Sequence, residues 1–316
     1  MNHTWRLGIL GILAVLFIGL YMFIDIGPYW DYVLPRRAKQ VLAIVLVGGA
    51  IAFSTVVFQT ITNNRILTPS IIGLDALYML IQTLIVFVFG SMTLVTMNAN
   101  IHFLMSAGLM VVFASFLFRL LLKREGNHIY FLLLVGIIFG TFFSSISSFM
   151  EMIIDPNEFV VIQDQSFASF NNVNEDLLMI SIVMLVAVGL YFIRYMKYLD
   201  VISLGRDHAL NLGVPYDRVV KHLLFIVVLL ISISTALVGP ITFLGLLVAN
   251  IAYQFMLTHK HSLIIPGAVL ISIASLACAQ FLVTRVFTFE TTISVIINFL
   301  GGVYFIYLLL KENKSW

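Results

Sequence analysis

The chain has 316 residues, of which 61% are hydrophobic and 10% charged, with a formal net charge of +2 and a mean hydropathy of +1.07. Soluble domains average about 25% charged residues, so most of this chain is predicted to lie in lipid. A balance so close to neutral, without a long basic run, excludes a nucleic-acid-binding protein, and the single cysteine, Cys278, excludes an intrachain disulfide and reads as a small apolar residue.

About 20 mostly apolar residues cross a bilayer core as a helix. That length predicts spans near 5–24, 40–61, 71–90, 101–122, 129–150, 177–197, 219–238, 241–257, 263–284 and 292–310. The first run, MNHTWRLGILGILAVLFIGLYMF, is longer than a signal-peptide core and lacks an A-x-A-like site, so it reads as a retained span. The third carries Asp75 near its start, and the eighth is short; Gly239-Pro240 ends the seventh. The chain is thus expected to be all-α, a single polytopic membrane domain over residues 1–316 with about ten transmembrane helices.

Ten spans place both termini on one side. With that side cytoplasmic, only Arg36, Arg37, Lys39 and Arg285 of the 17 Lys and Arg residues fall outside, a positive-inside pattern. The external loop, 151–176, is acidic and has no Lys or Arg, as an outside segment should.

No G-x-x-x-x-G-K-[ST] loop is present, so ATP hydrolysis is not expected on this chain. THKH at 258–261 reads as a turn rather than a metal site, and no metal or cofactor site is expected. No Ser/His/Asp set can be assembled, and the small residues of GTFFSSISS (140–148) suit close helix packing. In TNNRILTPSIIGLD (62–75) Asn63 and Asn64 can cap and Pro69 suits a first helical turn. The stretch is either an ordinary turn or a structured corner. In LGRDHALNLGVPYDR (204–218) a short helix over Arg206–Leu212 is predicted, with Gly213 as a left-handed stop and Pro215 opening the next segment.

Four stretches resemble the permease subunits of iron–siderophore ABC importers, the FecCD family. They are LPRRAKQVLAIVLVGGAIAFSTVVFQTITNNRILTPSIIG (34–73), LGRDHALNLGV (204–214), GPITFLGLLV (239–248) and TISVIINFLGGVYFIYLLLK (292–311). TNNRILTPSIIGLDALY is most similar to the branch that imports catecholate-type siderophores such as anguibactin and petrobactin. Two departures stand out: Ala249 and Asn250 replace a Pro-His pair, and FTFETTI keeps Glu290 without the flanking prolines.

The resemblance implies a type II ABC importer permease that moves a ferric siderophore inward across the bacterial plasma membrane. Permeases for cobalamin or haem belong to the same family, and a stand-alone ion-coupled secondary transporter is the alternative from another class. Such carriers keep ionisable groups near the membrane centre, whereas the charges here, Asp75 included, are expected at span ends. The implied partners are a dimer of ATP-binding subunits, which would hold ATP and Mg, a second permease, and an extracytoplasmic siderophore-binding protein. The coupling-helix region would be 198–218, with Leu204, Gly205, Arg206, Asp207, His208, Ala209, Leu212, Gly213 and Val214 meeting the ATPase. Ala209 and Gly213 would be the small positions that allow close approach. Arg36, Arg37 and Arg285 would receive acidic residues of the binding protein. The pathway would be lined by the fifth and last spans, for which Ser144, Ser145, Ser147, Ser148, Asn298 and Tyr304 are the candidates.

Overall fold

The computed structural model describes residues 3–25, 27–121, 129–171, 173–288 and 291–312. Glu290, Lys123, Arg124 and Lys314 lie outside these residues. All regular structure among the described residues is helical: α1 (His3–Phe23), α2 (Trp30–Thr62), α3 (Leu74–Phe89), α4 (Ser91–Thr96), α5 (Ala99–Leu121), α6 (Ile129–Glu151), α7 (Pro156–Gln165), α8 (Glu175–Ile202), α9 (Arg206–Asn211), α10 (Tyr216–Val238), α11 (Leu244–Met256), α12 (His261–Arg285) and α13 (Ile293–Glu312), with one 3₁₀ turn at Pro69–Ile72. Seven are long and apolar enough to cross a membrane, while α3, α11 and the apolar part of α13 are shorter.

The predicted spans 71–90 and 241–257 therefore need correction. Their helices hold 16 and 13 residues, about 24 and 20 Å at 1.5 Å per residue. The reason is local: Gly73 (φ 87°) and Gly239 (φ 96°) adopt left-handed backbone that interrupts the chain before each short helix. Between α2 and α3 the chain forms a structured corner. Asn63 ends α2 in a left-handed conformation, the Asn64 side chain accepts from the Ile66 amide, and Pro69 opens the 3₁₀ turn. The segment at 151–176 is likewise structured: α7 starts after Asp155, whose carboxylate accepts from the Asn157 amide, and Ala168 and Phe170 are buried.

α2, α10 and α12 form the interior, and α1, α6 and α8 lie around it with apolar faces turned outward. Between helices in lipid there is no hydrophobic drive beyond what lipid itself offers, so close packing decides. Small residues supply it: a β-carbon on Gly48 would stand 3.0 Å from Leu276 and Ser272, and one on Gly267 3.0 Å from Met256. The chain ends of α1 and α11 meet where Arg6 donates to the Phe255 and Met256 carbonyls, 2.8 and 2.9 Å. This face, which carries the start of α1, is the N-terminal face of the bundle; the opposite one is the far face.

Candidate functional site

At the N-terminal face α8 ends and the chain turns through Gly205 (φ 97°) into α9. Gly213 (φ 78°) then reverses it, and α10 starts after Pro215. The left-handed conformation at Gly213 explains that residue, since a β-carbon there would meet nothing within 4 Å. Arg206 and Asp217 bridge the turn at 3.7 Å. Asp207 and His208 are exposed, whereas Ala209 is fully buried and Val214 nearly so. Ala209 is thus small because α9 rests on its own chain, and the outward side of the segment carries Leu204, Leu210 and Leu212, 56%, 41% and 64% exposed. Sequence reading does not single out Leu210, because an isolated apolar residue in a polar stretch reads as an anchor into the core.

Beside α9 a recess of about 410 Å³ is lined by Gln59, Arg65, Leu204, Tyr253, His259 and Lys260, among others. The Arg65 guanidinium lies over the Tyr253 ring, 4.7 Å from its centroid, and its carbonyl accepts from Asn250 Nδ2 at 2.9 Å. Asn250 therefore ties α11 to the corner between α2 and α3. His261, the last residue of THKH, is buried. Its Nδ1 faces Asp200 Oδ1 at 2.6 Å and its Nε2 faces Thr60 Oγ1 at 2.8 Å. Asp200 Oδ1 also accepts from the His261 amide at 2.9 Å, capping α12. One side chain thus joins α2, α12 and the last turns of α8, next to α9. Spacing in the sequence gives no sign of this, because the two partners lie 61 and 201 residues away.

At the far face a recess of about 320 Å³ is lined by Tyr21, Tyr32, Arg36, Arg37, Asn171 and Arg285, among others. The three arginines differ. Arg37 Nη1 donates to the carbonyls of Tyr21, Met22 and Ile24 at 3.0, 2.8 and 2.9 Å, and Nη2 donates to that of Asp25 at 3.1 Å. These are the free carbonyls at the end of α1, where a cation is favoured. Arg285 pairs with Asp25 Oδ2 at 2.5 Å and donates to the Ile24 and Asp25 carbonyls, both at 2.9 Å. Both therefore fasten α1 to α2 and α12. Arg36 is exposed and makes no hydrogen bond or ion pair among the described residues. Lys39, next along α2, pairs with Glu175 at the start of α8. Beneath the recess Tyr21 donates to Gln40, and the Gln40 and Gln280 amides donate to Asn171 Oδ1 at 3.2 and 3.0 Å.

The candidate pathway residues divide between two helices with different neighbours: α6 packs chiefly on α3, and α13 on α11 and α12. Ser144, Ser145 and Ser148 are exposed on α6, with Ser145 donating to the Thr141 carbonyl at 2.8 Å. Ser147 is buried, without a hydrogen-bond partner among the described residues. On α13, Asn298 accepts from the Phe243 amide at 3.4 Å and Tyr304 accepts from Gln254 Nε2 at 2.9 Å.

Asp75 also needs correction. Hydropathy puts it at a span end, but α3 starts within the bundle: Gly73 abuts Gly136 and Gly140 of α6, about 10–16 Å along that helix from its start. The corner between α2 and α3 climbs into the bundle and takes Asp75 with it.

A helical bundle with seven helices long and apolar enough to cross a membrane, a short exposed helix on one face and an arginine-lined recess on the other is that of a multi-pass membrane protein. Residues 8–311 match the FecCD transport family, and the chain belongs to that family. It is 61% identical over 316 residues, the whole of both chains, to "Petrobactin import system permease protein YclO" of Bacillus subtilis (strain 168). It is 38% identical to "Petrobactin import system permease protein FatC" of Bacillus anthracis, across 91% of this chain and 81% of that protein. The solved structure "An inward-facing conformation of a putative metal-chelate type ABC transporter" superimposes with a TM-score of 0.83, covering 96% of this chain and 98% of its own, at 22% identity. That last likeness shows the type of fold.

Proposed function

We propose that this chain is one of two permease subunits of an ABC importer that carries a ferric catecholate-type siderophore, of the petrobactin class, inward across the bacterial plasma membrane. The observation that carries the reading is the 61% identity to a petrobactin permease along the whole of both chains. The N-terminal face is then cytoplasmic and both termini lie there, in keeping with the positive-inside pattern. ATP and Mg would belong to the partner ATPase.

The geometry supports a division of labour. α9 and its two flanks present Leu210, Leu204 and Leu212 outward, a small apolar ridge suited to a groove in the ATP-binding subunit. Because α9 is continuous with α8 and α10, and Asp200 of α8 is bonded to His261 of α12, force on the ridge reaches three long helices. At the far face Arg36 is the arginine available to an acidic residue of the binding protein. Exposed charges of this kind steer and register docking more than they add affinity. The exposed serines of α6 and the α13 face carrying Asn298 and Tyr304 would line the pathway once a second, related permease pairs with this one.

The reading is tested in a strain deleted for this chain by measuring uptake of radioactive iron supplied as ferric petrobactin, a ferric hydroxamate or haem. Loss of petrobactin uptake alone, restored by the intact gene, is expected. Unchanged petrobactin uptake would overturn the substrate, and loss of haem uptake instead would reassign it.

A further inference from the structure

Two interruptions of the helical bundle meet at one point. The corner at residues 63–73 precedes α3, the segment at residues 239–243 precedes α11, and both short helices begin beside the same small cavity. Asp75, the second residue of α3, lies about 21 Å from that helix's far end, where the Ser91 amide donates to Glu158 of α7. This carboxylate therefore stands inside the bundle, at a depth where irregular backbone persists only if it is buried in protein or lines a cavity.

The cavity measures about 10 Å³, room for one water-sized particle. The polar side chains among its lining residues carry oxygen alone: Asp75, Thr55, Thr68, Ser70, Thr235 and Thr242. No Lys, Arg, His or side-chain amide lines it. Asp75 Oδ2 is closed off from solvent and has no hydrogen-bond partner among the described residues, while the Ser70 hydroxyl bonds the same carboxyl group. The walls are fixed by close contact, since a β-carbon on Gly245 would collide with Thr55 Oγ1.

A buried carboxylate without a counter-charge is costly until it takes up a proton or a cation, and a neutral water in the cavity supplies neither. Hydroxyls can turn lone pairs toward a cation, and hard cations take oxygen ligands. One negative charge matches one positive charge, whereas a divalent ion would leave a net charge inside the bundle. We propose that Asp75 and these hydroxyls hold a single dehydrated monovalent cation of sodium size, which pins the starts of α3 and α11 to α2 and α10. Two broken helices meeting around an ion are a recurrent way to use irregular backbone at membrane depth. This inference rests on the cavity and not on which substrate is carried.

The test is thermal unfolding of the purified permease in its native assembly, with sodium chloride exchanged for choline, potassium or lithium chloride at constant ionic strength. A saturable rise in Tm with sodium, several degrees at saturation and larger than with potassium, is expected for the wild type. It should be absent in Asp75→Asn, and Thr235→Val should raise the sodium midpoint at least several-fold. Equal Tm in sodium, potassium and choline would overturn the proposal, as would a sodium response retained in Asp75→Asn. Stabilisation by acid alone, without a sodium response, would assign a proton to Asp75 and overturn it equally. If Asp75→Asn does not fold, Thr235→Val and Thr242→Val decide: an unchanged sodium midpoint in both contradicts the site.

Discussion

Gly73 and Gly140 touch main chain to main chain: a β-carbon on Gly73 would stand 2.9 Å from Gly140 Cα, and one on Gly140 3.3 Å from Gly73 Cα. Gly136, one turn away, would place its β-carbon 2.9 Å from Ile72 Cα. The run GTFFSSISS thus starts on the glycine that lets α6 carry the corner before α3. Gly73→Ala meets both the left-handed backbone, about 1–2 kcal/mol, and overpacking of about 1–3 kcal/mol. Gly140→Ala meets only the second, and its neighbour need move only a few tenths of an ångström. Thermal unfolding in detergent should rank Gly73→Ala well below Gly140→Ala, with wild type highest.

Thr55 and Gly245 offer a sharper case. Gly245→Ala collides with the Thr55 hydroxyl and is expected to lower Tm by the equivalent of about 1–3 kcal/mol. Thr55→Ala removes that hydroxyl and the 3.2 Å methyl contact. The double variant should recover part of the loss, a positive coupling of neighbours. Strict additivity in a double-mutant cycle would contradict the contact.

The two arginines at the end of α1 are expected to separate cleanly from Arg36. Arg37→Gln removes charge-assisted bonds to four carbonyls and should cost about 1.5–3 kcal/mol, with faster proteolysis between α1 and α2. Arg36→Glu, at an exposed position, should stay within about 0.5 kcal/mol of wild type. It should instead weaken docking of the binding protein, most strongly at low salt. Docking unaffected at every ionic strength would remove Arg36 from that surface.

For α9, Leu212→Glu changes an outward residue and should leave the chain inserted and stable while transport and association with the ATPase fall. Gly213→Val strains only the left-handed corner, about 1–2 kcal/mol, because there is open space around it. Uptake assays paired with pull-down of the ATPase should show Leu212→Glu impaired in both. Normal uptake in Leu212→Glu would remove the ridge from the coupling surface.

Much of this is readable because it rests on local rules. Seven membrane-crossing helices announce themselves by length, and α9 is bracketed by Gly205, Gly213 and Pro215, which act within a few residues. What escapes depends on contacts far apart in the chain. Arg37 and Arg285 read as free external charges until α1 returns its end to them. Ala209 reads as a docking position until α9 folds onto its own chain. Asp75 reads as a span end because hydropathy cannot tell a full crossing from a helix that starts inside the bundle. α7 escapes because its one buried residue, Ile162, gives no helical period.

The central claim, a permease that works only as part of a siderophore importer, is met most directly by purifying the chain gently from native membranes and reconstituting what accompanies it. An ATP-binding subunit and a second permease are expected to co-purify, and ATP-dependent accumulation of ferric siderophore is expected once the binding protein is added. A chain that purifies alone across several mild detergents, and whose vesicles accumulate the siderophore on an ion gradient without ATP, would contradict it.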